Sequence, residues 1–149
     1  MEQLETTVIS ALEHLRLPVQ ESMQLFEEAG NKLKPYLGLY ISEAQARELI
    51  QASGIPTFPR PQGVPESYRI KLSDKGAGMK YVHPSDEGTY IRVMPGMAHS
   101  KNLSQQRPYV NQRIHGNSVD KHGNIVSSKA GEAHIPLEEF IYRGGNYYE

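Results

Sequence analysis

An α+β fold, with N-terminal helices packed on one face of a small antiparallel β-sheet, is the architecture this sequence predicts. Three observations carry it. Apolar residues recur at helical spacing through the first third, a proline-rich stretch interrupts the chain at 55–67, and short alternating runs divided by turn residues fill the remainder. A chain of 149 residues most often makes one domain and is long enough to bury a core. It is read as a single domain over 1–149, with a helical part at 1–54, a crossing at 55–67 and a sheet part at 68–149.

Each element has its own signal. Leu4, Val8, Leu12 and Leu15 form one apolar stripe that ends at Pro18. Val19, Met23, Phe26 and Leu33 continue the spacing in a second helix, with Gly30, Asn31 and Pro35 marking its exit. Ser42 followed three positions later by Gln45 predicts a capping box. Ala46, Leu49 and Ile50 then supply a buried face before Gly54 and Pro56 end that helix. Apolar faces at this spacing in a small domain are read as core, with a partner-binding surface as the alternative. Pro56, Pro59, Pro61, Gly63 and Pro65 exclude helix and central strand from the crossing, which predicts an extended or mobile connection. Strands are expected at 68–72, 79–82, 89–94, 108–114, 118–119, 125–126 and 140–142. The two His-Gly-Asn triplets, at 115–117 and 122–124, read as hairpin turns.

Charge is uneven along the chain although the net value is only −1. Residues 1–59 hold four Lys and Arg against eight Glu, and residues 130–149 hold one against four. Residues 60–129 hold eleven against five and so form a basic block that can steer an anionic partner. The absence of cysteine excludes disulfides, a thiolate nucleophile and thiolate-bound zinc. Nothing approaches the run of about twenty apolar residues that a membrane-crossing helix needs, and the N-terminus lacks signal-peptide features, so a soluble chain is expected. Export by another route, as the tail of a longer polypeptide, stays open.

Chemistry concentrates between Lys80 and His134. Gly76 and Gly78 precede Lys80, but no Gly-Lys-Ser/Thr signature follows, so they are read as a turn rather than a phosphate loop. Alternation in Tyr90-Ile91-Arg92-Val93-Met94 puts Arg92 opposite the core face, where a guanidinium can grip two phosphate oxygens. Of the six histidines, His14 is expected on a helix surface and His83, His99, His115 and His122 in turns or loops. No pair has zinc-hydrolase spacing, so neither a metal site nor a cofactor is expected. His134, in Glu-Ala-His-Ile-Pro, is placed to be held by packed neighbours, and a held imidazole can move protons near neutrality.

The runs GMKYVHP, IRVMPG, QQRPYV, VDKHGNIV and EAHIPLEEF, taken in order over residues 75–141, resemble the C-terminal toxin domains of bacterial polymorphic and contact-dependent toxins. The sequence departs from that pattern at Gly96-Met97-Ala98-His99, where a proline usually follows the glycine closely. It departs again at Ala130-Gly131, where serine and proline usually precede Glu-Ala-His. Many such domains are similar to metal-independent RNases of the barnase, EndoU, colicin and RelE group, whose fold is also helices followed by an antiparallel sheet.

The resemblance implies a secreted or delivered ribonuclease, with tRNA as one candidate target, that acts in a target cell's cytoplasm and is neutralised by a cognate immunity protein. It implies His134 as general base or acid, with Arg92 and Lys80 on the phosphate. Arg107, Tyr109, Gln106 and Arg113 would bind flanking RNA, and the tract 102–106 would line the same cleft. Two alternatives remain open from sequence: a DNase of the same delivery class, and a non-catalytic module that docks nucleic acid or protein.

Overall fold

Ser42 lies in extended backbone and its hydroxyl accepts the N–H of Gln45 at 3.1 Å, so the serine half of the expected capping box forms and opens a helix. The computed structural model describes residues 16–74, 77–97 and 100–142. Among these, two α-helices, α1 (Val19–Leu33) and α2 (Glu43–Ala52), precede a six-stranded antiparallel sheet, which is the expected α+β arrangement. The stripe Leu4, Val8, Leu12 and Leu15 lies outside the described residues.

Helix α2 closes on Gly54 at φ +82°, where its N–H reaches the Gln51 carbonyl and that of Ile55 reaches the Ile50 carbonyl. A left-handed residue is needed for that paired closure, and glycine adopts it without strain. Helix α1 turns Phe26 and Leu33 inward as expected but differs from expectation in the rest of that face and in length. It buries Ser22, Ala29 and Leu33, with Leu25 and Phe26 partly covered, whereas Val19 and Met23 are 56% and 55% exposed. Small residues at 22 and 29 let α1 approach closely, and Leu25 lies 3.1 Å from where a Cβ on Gly54 would stand. The helix also runs through Gly30 and Asn31, because burying Leu33 outweighs a glycine cost of about 1 kcal/mol.

Strands β1 (Arg69–Leu72), β2 (Met79–His83), β3 (Asp86–Met94), β4 (Tyr109–Ile114) and β5 (Asn117–Val119) follow one another as a meander, and β6 (Ile135–Pro136) pairs with β4. Alternation sorts the side chains into two faces. Ile70, Leu72, Met79, Tyr81, Ile91, Val93 and Val110 join Ala29, Leu33, Ala46 and Ile50 in one core against the helices. The opposite face carries Lys71, Lys80, Arg92 and Asn111 in register across four strands. Gly78 is required at the start of β2, since a Cβ there would collide with Met94 Sδ and come within 2.6 Å of the Val93 carbonyl.

Both His-Gly-Asn triplets are turns. His115 (φ +51°) and Gly116 (φ +83°) make the two-residue loop between β4 and β5, as a primed turn demands. In the second, Asp120 Oδ1 accepts the N–H of His122 and of Asn124, and the chain returns through one bridge between Val119 and Ile125. The strand expected at 125–126 is reduced to that bridge. No strand forms at 140–142 either. Phe140 and Tyr142 are instead drawn onto the edge of the core, where the Tyr142 hydroxyl lies 3.2 Å from that of Tyr68, and the last strand is Ile135–Pro136.

The proline-rich crossing forms neither helix nor strand and turns at Pro61–Val64 and Pro65–Tyr68, and it is built into the core rather than hung between two parts. Ile55, Phe58 and Val64 are buried along it. Glu43 pins it: its carboxylate meets Arg47 at 2.6 Å, the Arg60 guanidinium from the crossing and the Tyr81 hydroxyl from β2 at 3.3 Å. Arg47 and Arg60 also donate to the Phe58 and Pro65 carbonyls. Burial foremost, and then the Glu43 charge, hold the Tyr81 phenol well above its ordinary pKa, so it stays a neutral donor.

The wild-type crossing is expected to resist limited proteolysis at 55–67. Glu43→Gln leaves two guanidinium groups without their carboxylate, and the resulting loss of about 1–3 kcal/mol opens that stretch to cleavage. Denaturant titration and mapped fragments check both outcomes.

Candidate active site

The β3 alternation that buries Ile91 and Val93 sends Arg92 to the opposite face, between Lys80 on β2 and Asn111 on β4. Arg92 Nη2 donates to Asn111 Oδ1 at 2.8 Å, while its Nε is covered and has no hydrogen-bond partner. Asn111 Nδ2 in turn donates to the Ala133 carbonyl at 2.7 Å. One buried amide therefore links the guanidinium of β3 to the residue preceding His134.

His134 is held on three sides and is only 6% exposed. Its Nδ1 lies 3.0 Å from the Ala130 carbonyl, which can only accept, so Nδ1 carries the proton. The lone pair is then on Nε2, where the Gln105 amide donates at 2.8 Å. Ser100 fixes that amide by donating its hydroxyl to Gln105 Oε1 at 3.2 Å. The edge of Tyr109 closes the third side, 5.2 Å between ring centroids at 78°. Desolvation pushes the His134 pKa below its ordinary value, and the Arg92 charge adds to this, while the bond to Ala130 opposes it. The imidazole is thus neutral at neutral pH and carries its lone pair at Nε2.

Around this pair the face is cationic. Lys80 Nζ stands 4.2 Å from the Tyr90 ring centroid, and the Arg113 guanidinium carbon is 5.9 Å from the same ring. At the β1 edge Arg69 stacks on Tyr40 at 3.6 Å and Lys71 lies 5.3 Å from it. The ion pairs formed among the described residues use Arg47, Arg60, His115 and Lys121, and neither these four cations nor Arg92 takes part. Partial burial lowers the Lys80 pKa, repulsion from Lys71, Arg92 and Arg113 lowers it further, and Asp74 acts in the other direction. Tyrosine faces thus hold the cations in place without neutralising them.

The structure brings together Arg92, His134 and Tyr109 of the residues expected from sequence, with Lys80 and Arg113 on the same face. Tyr109 is 7% exposed, so it walls the imidazole rather than offering a face to a base. Gln106 is turned away, donating to the Ser100 carbonyl at 2.9 Å, and its neighbour Gln105 meets His134 instead. Arg107 is exposed, and its backbone packs against Gly96. Asn111 was not singled out by its sequence, although an asparagine inside a β-branched and aromatic strand is a signal. His83, His115 and His122 lie in or beside turns, with His115 2.7 Å from Asp86, while His14 and His99 fall outside the described residues. Among the described residues no group of three or more His, Asp or Glu side chains converges as metal ligands. A hollow of about 180 Å³, lined by Phe26, Leu33, Leu37, Asp74 and Met97 among others, shares no residue with this site. Comparison with protein-family models, curated proteins and solved structures gave no match.

In a proton NMR titration His134 is expected to change charge below the ordinary value of about 6.5, and Arg92→Met to raise that midpoint. The native state resists protonation that the unfolded chain accepts. Stability from this group is therefore complete above about pH 6.5 and is lost as pH falls toward the native midpoint. His134→Gln flattens that part of the stability profile, which denaturant titrations at a series of pH values check.

Proposed function

We propose that this domain is a toxin-type, metal-independent endoribonuclease that cuts RNA through attack of a 2′-hydroxyl on the adjacent phosphate. The observation that carries the reading is the chain from Arg92 through Asn111 to Ala133. It sets a guanidinium beside a buried, neutral imidazole whose lone pair faces a hydrogen-bond donor. Gln105 occupies, with its N–H, the position a 2′-hydroxyl donor would take when the amide moves aside.

The chemistry requires little more. His134 Nε2 accepts the 2′-hydroxyl proton as the O2′–P bond forms, and Arg92 and Lys80 hold the non-bridging oxygens as negative charge grows there. The P–O5′ bond breaks, and the departing 5′-oxygen takes a proton from water or from Lys80, whose ammonium is made more acidic by its burial and neighbours. The 2′,3′-cyclic phosphate is left on the upstream fragment. Arg113 and Arg107 are cations suited to flanking phosphates, and tRNA is one candidate target. The order of motifs shared with toxin domains supports the same reading. It further suggests delivery into a competitor's cytoplasm as part of a larger toxin, and a cognate immunity protein that covers the cationic face.

A non-catalytic nucleic-acid-binding module is the second reading, favoured by the Gln105 amide that caps the imidazole. Purified protein incubated with total RNA in EDTA separates the two. Wild type is expected to cut. His134→Ala should lose about 10²–10⁴ in rate and Arg92→Ala about 10²–10³, with both still folded by circular dichroism. Cutting at the wild-type rate by both variants defeats the site assignment. Intact RNA bound with strong salt dependence supports the binding module.

A further inference from the structure

We infer that the cationic sheet face carries a second, extended subsite: a polyanion track from Arg92 across Lys80 and Lys71 to the Arg69–Tyr40 stack, fitted to single-stranded RNA. The inference rests on the ribonuclease reading and adds to it where the strand lies and what kind of substrate it is. Lys71, Lys80 and Arg92 are cross-strand partners in consecutive strands, so they form a row perpendicular to the strands. At an interstrand spacing of about 4.8 Å, that row from β1 to β3 is about 10 Å long, and Arg113 on β4 carries the strip to about 14 Å. Arg69 and Arg113 lie two residues along from that row, at β1 and β4, which makes the strip about 7 Å wide. A strip of that shape follows one phosphate backbone rather than the two of a duplex.

The positions are built for an anion and are not a by-product of surface charge. Arg69 and Lys71 are both gathered on Tyr40, whose hydroxyl is fixed by Glu87 at 3.2 Å. Lys80 and Arg113 both flank Tyr90. Glu87 at one end and Asp74 near Lys80 are carboxylates on the border of the track, and neither forms an ion pair with its cations. Like charges held this close repel one another, and a bound polyphosphate relieves that repulsion. The Arg69 guanidinium also offers a plane on which an unpaired base can stack, a contact that a paired base in a duplex does not make.

The test is anisotropy of a labelled single-stranded RNA bound to His134→Ala protein across a salt series. Each phosphate contact to a single strand contributes about −0.7 to the slope of log affinity against log salt. Adding Arg69→Ala and Lys71→Ala together should weaken binding on the order of tenfold and reduce the slope by about 1.4. Lys121→Ala, which removes a cation paired with Glu139 instead, should leave binding as it was. Thermal unfolding verifies that each variant is folded, and Arg69→Gln with Lys71→Gln replaces the double alanine variant if that one is not. An unchanged affinity and slope in the folded double variant overturns the track, even where the wild type cuts RNA. An equal affinity for a duplex of the same length overturns the single-strand assignment. Loss of affinity and slope alongside an inert wild-type protein upholds the track and sinks the ribonuclease reading alone.

Discussion

The hydrogen bond from Arg92 to Asn111 is the contact on which the site depends. A guanidinium in the middle of a sheet face is free to swing between several acceptors, and Asn111 gives it one address at 2.8 Å. The same amide spends its donor on the Ala133 carbonyl, so the loop that delivers His134 is tied to the strand that delivers Arg92. Both ends are buried enough that neither bond is readily exchanged for water. The geometry of cation and imidazole is therefore inherited from the β3–β4 register, which the Gly88 carbonyl and the Thr89 hydroxyl help to fix by accepting the N–H groups of Gly116 and His115. On the far side of the sheet, Glu43 plays the matching role by joining α2, the crossing and β2.

Aromatic support explains how four of the five cations share one face. Carboxylate partners would hold Lys and Arg side chains equally well, but they would cancel the charge that an anionic ligand needs. Tyr40 and Tyr90 hold them through their ring faces, an attraction of about 0.5–2 kcal/mol each that leaves the net charge intact. Four acidic residues are used elsewhere, Glu43 behind the sheet, Asp86 in the hairpin with Thr89 and His115, Asp120 in its turn and Glu139 on Lys121, while Glu87 and Asp74 border the cations without pairing with them. Cations left without carboxylate partners account for a basic surface on a nearly neutral chain.

Elements with strong periodicity were legible in the sequence. The cap at Ser42, the stop at Gly54, the strands around Arg92 and the two His-Gly-Asn turns all follow from local rules. The buried face of α1 was not, because Ser22 and Ala29 are buried for their small size and not for their hydrophobicity. Phe140 and Tyr142 read as strand residues but pack on the core edge, a choice made by tertiary contacts. In the site, Arg92 and His134 could be found from face parity and a packed setting. Asn111, Gln105 and the tyrosine supports could not, since they matter only once register sets one strand against the next.

If a neutral His134 and a charged Arg92 serve the 2′-hydroxyl of RNA, as we propose, the chemistry of the cut ends records it. RNA cleaved by the wild-type protein in EDTA should carry a 2′,3′-cyclic phosphate on the upstream fragment and a 5′-hydroxyl on the downstream one. A 3′-hydroxyl facing a 5′-phosphate would mean that an external water attacked, and would contradict the account.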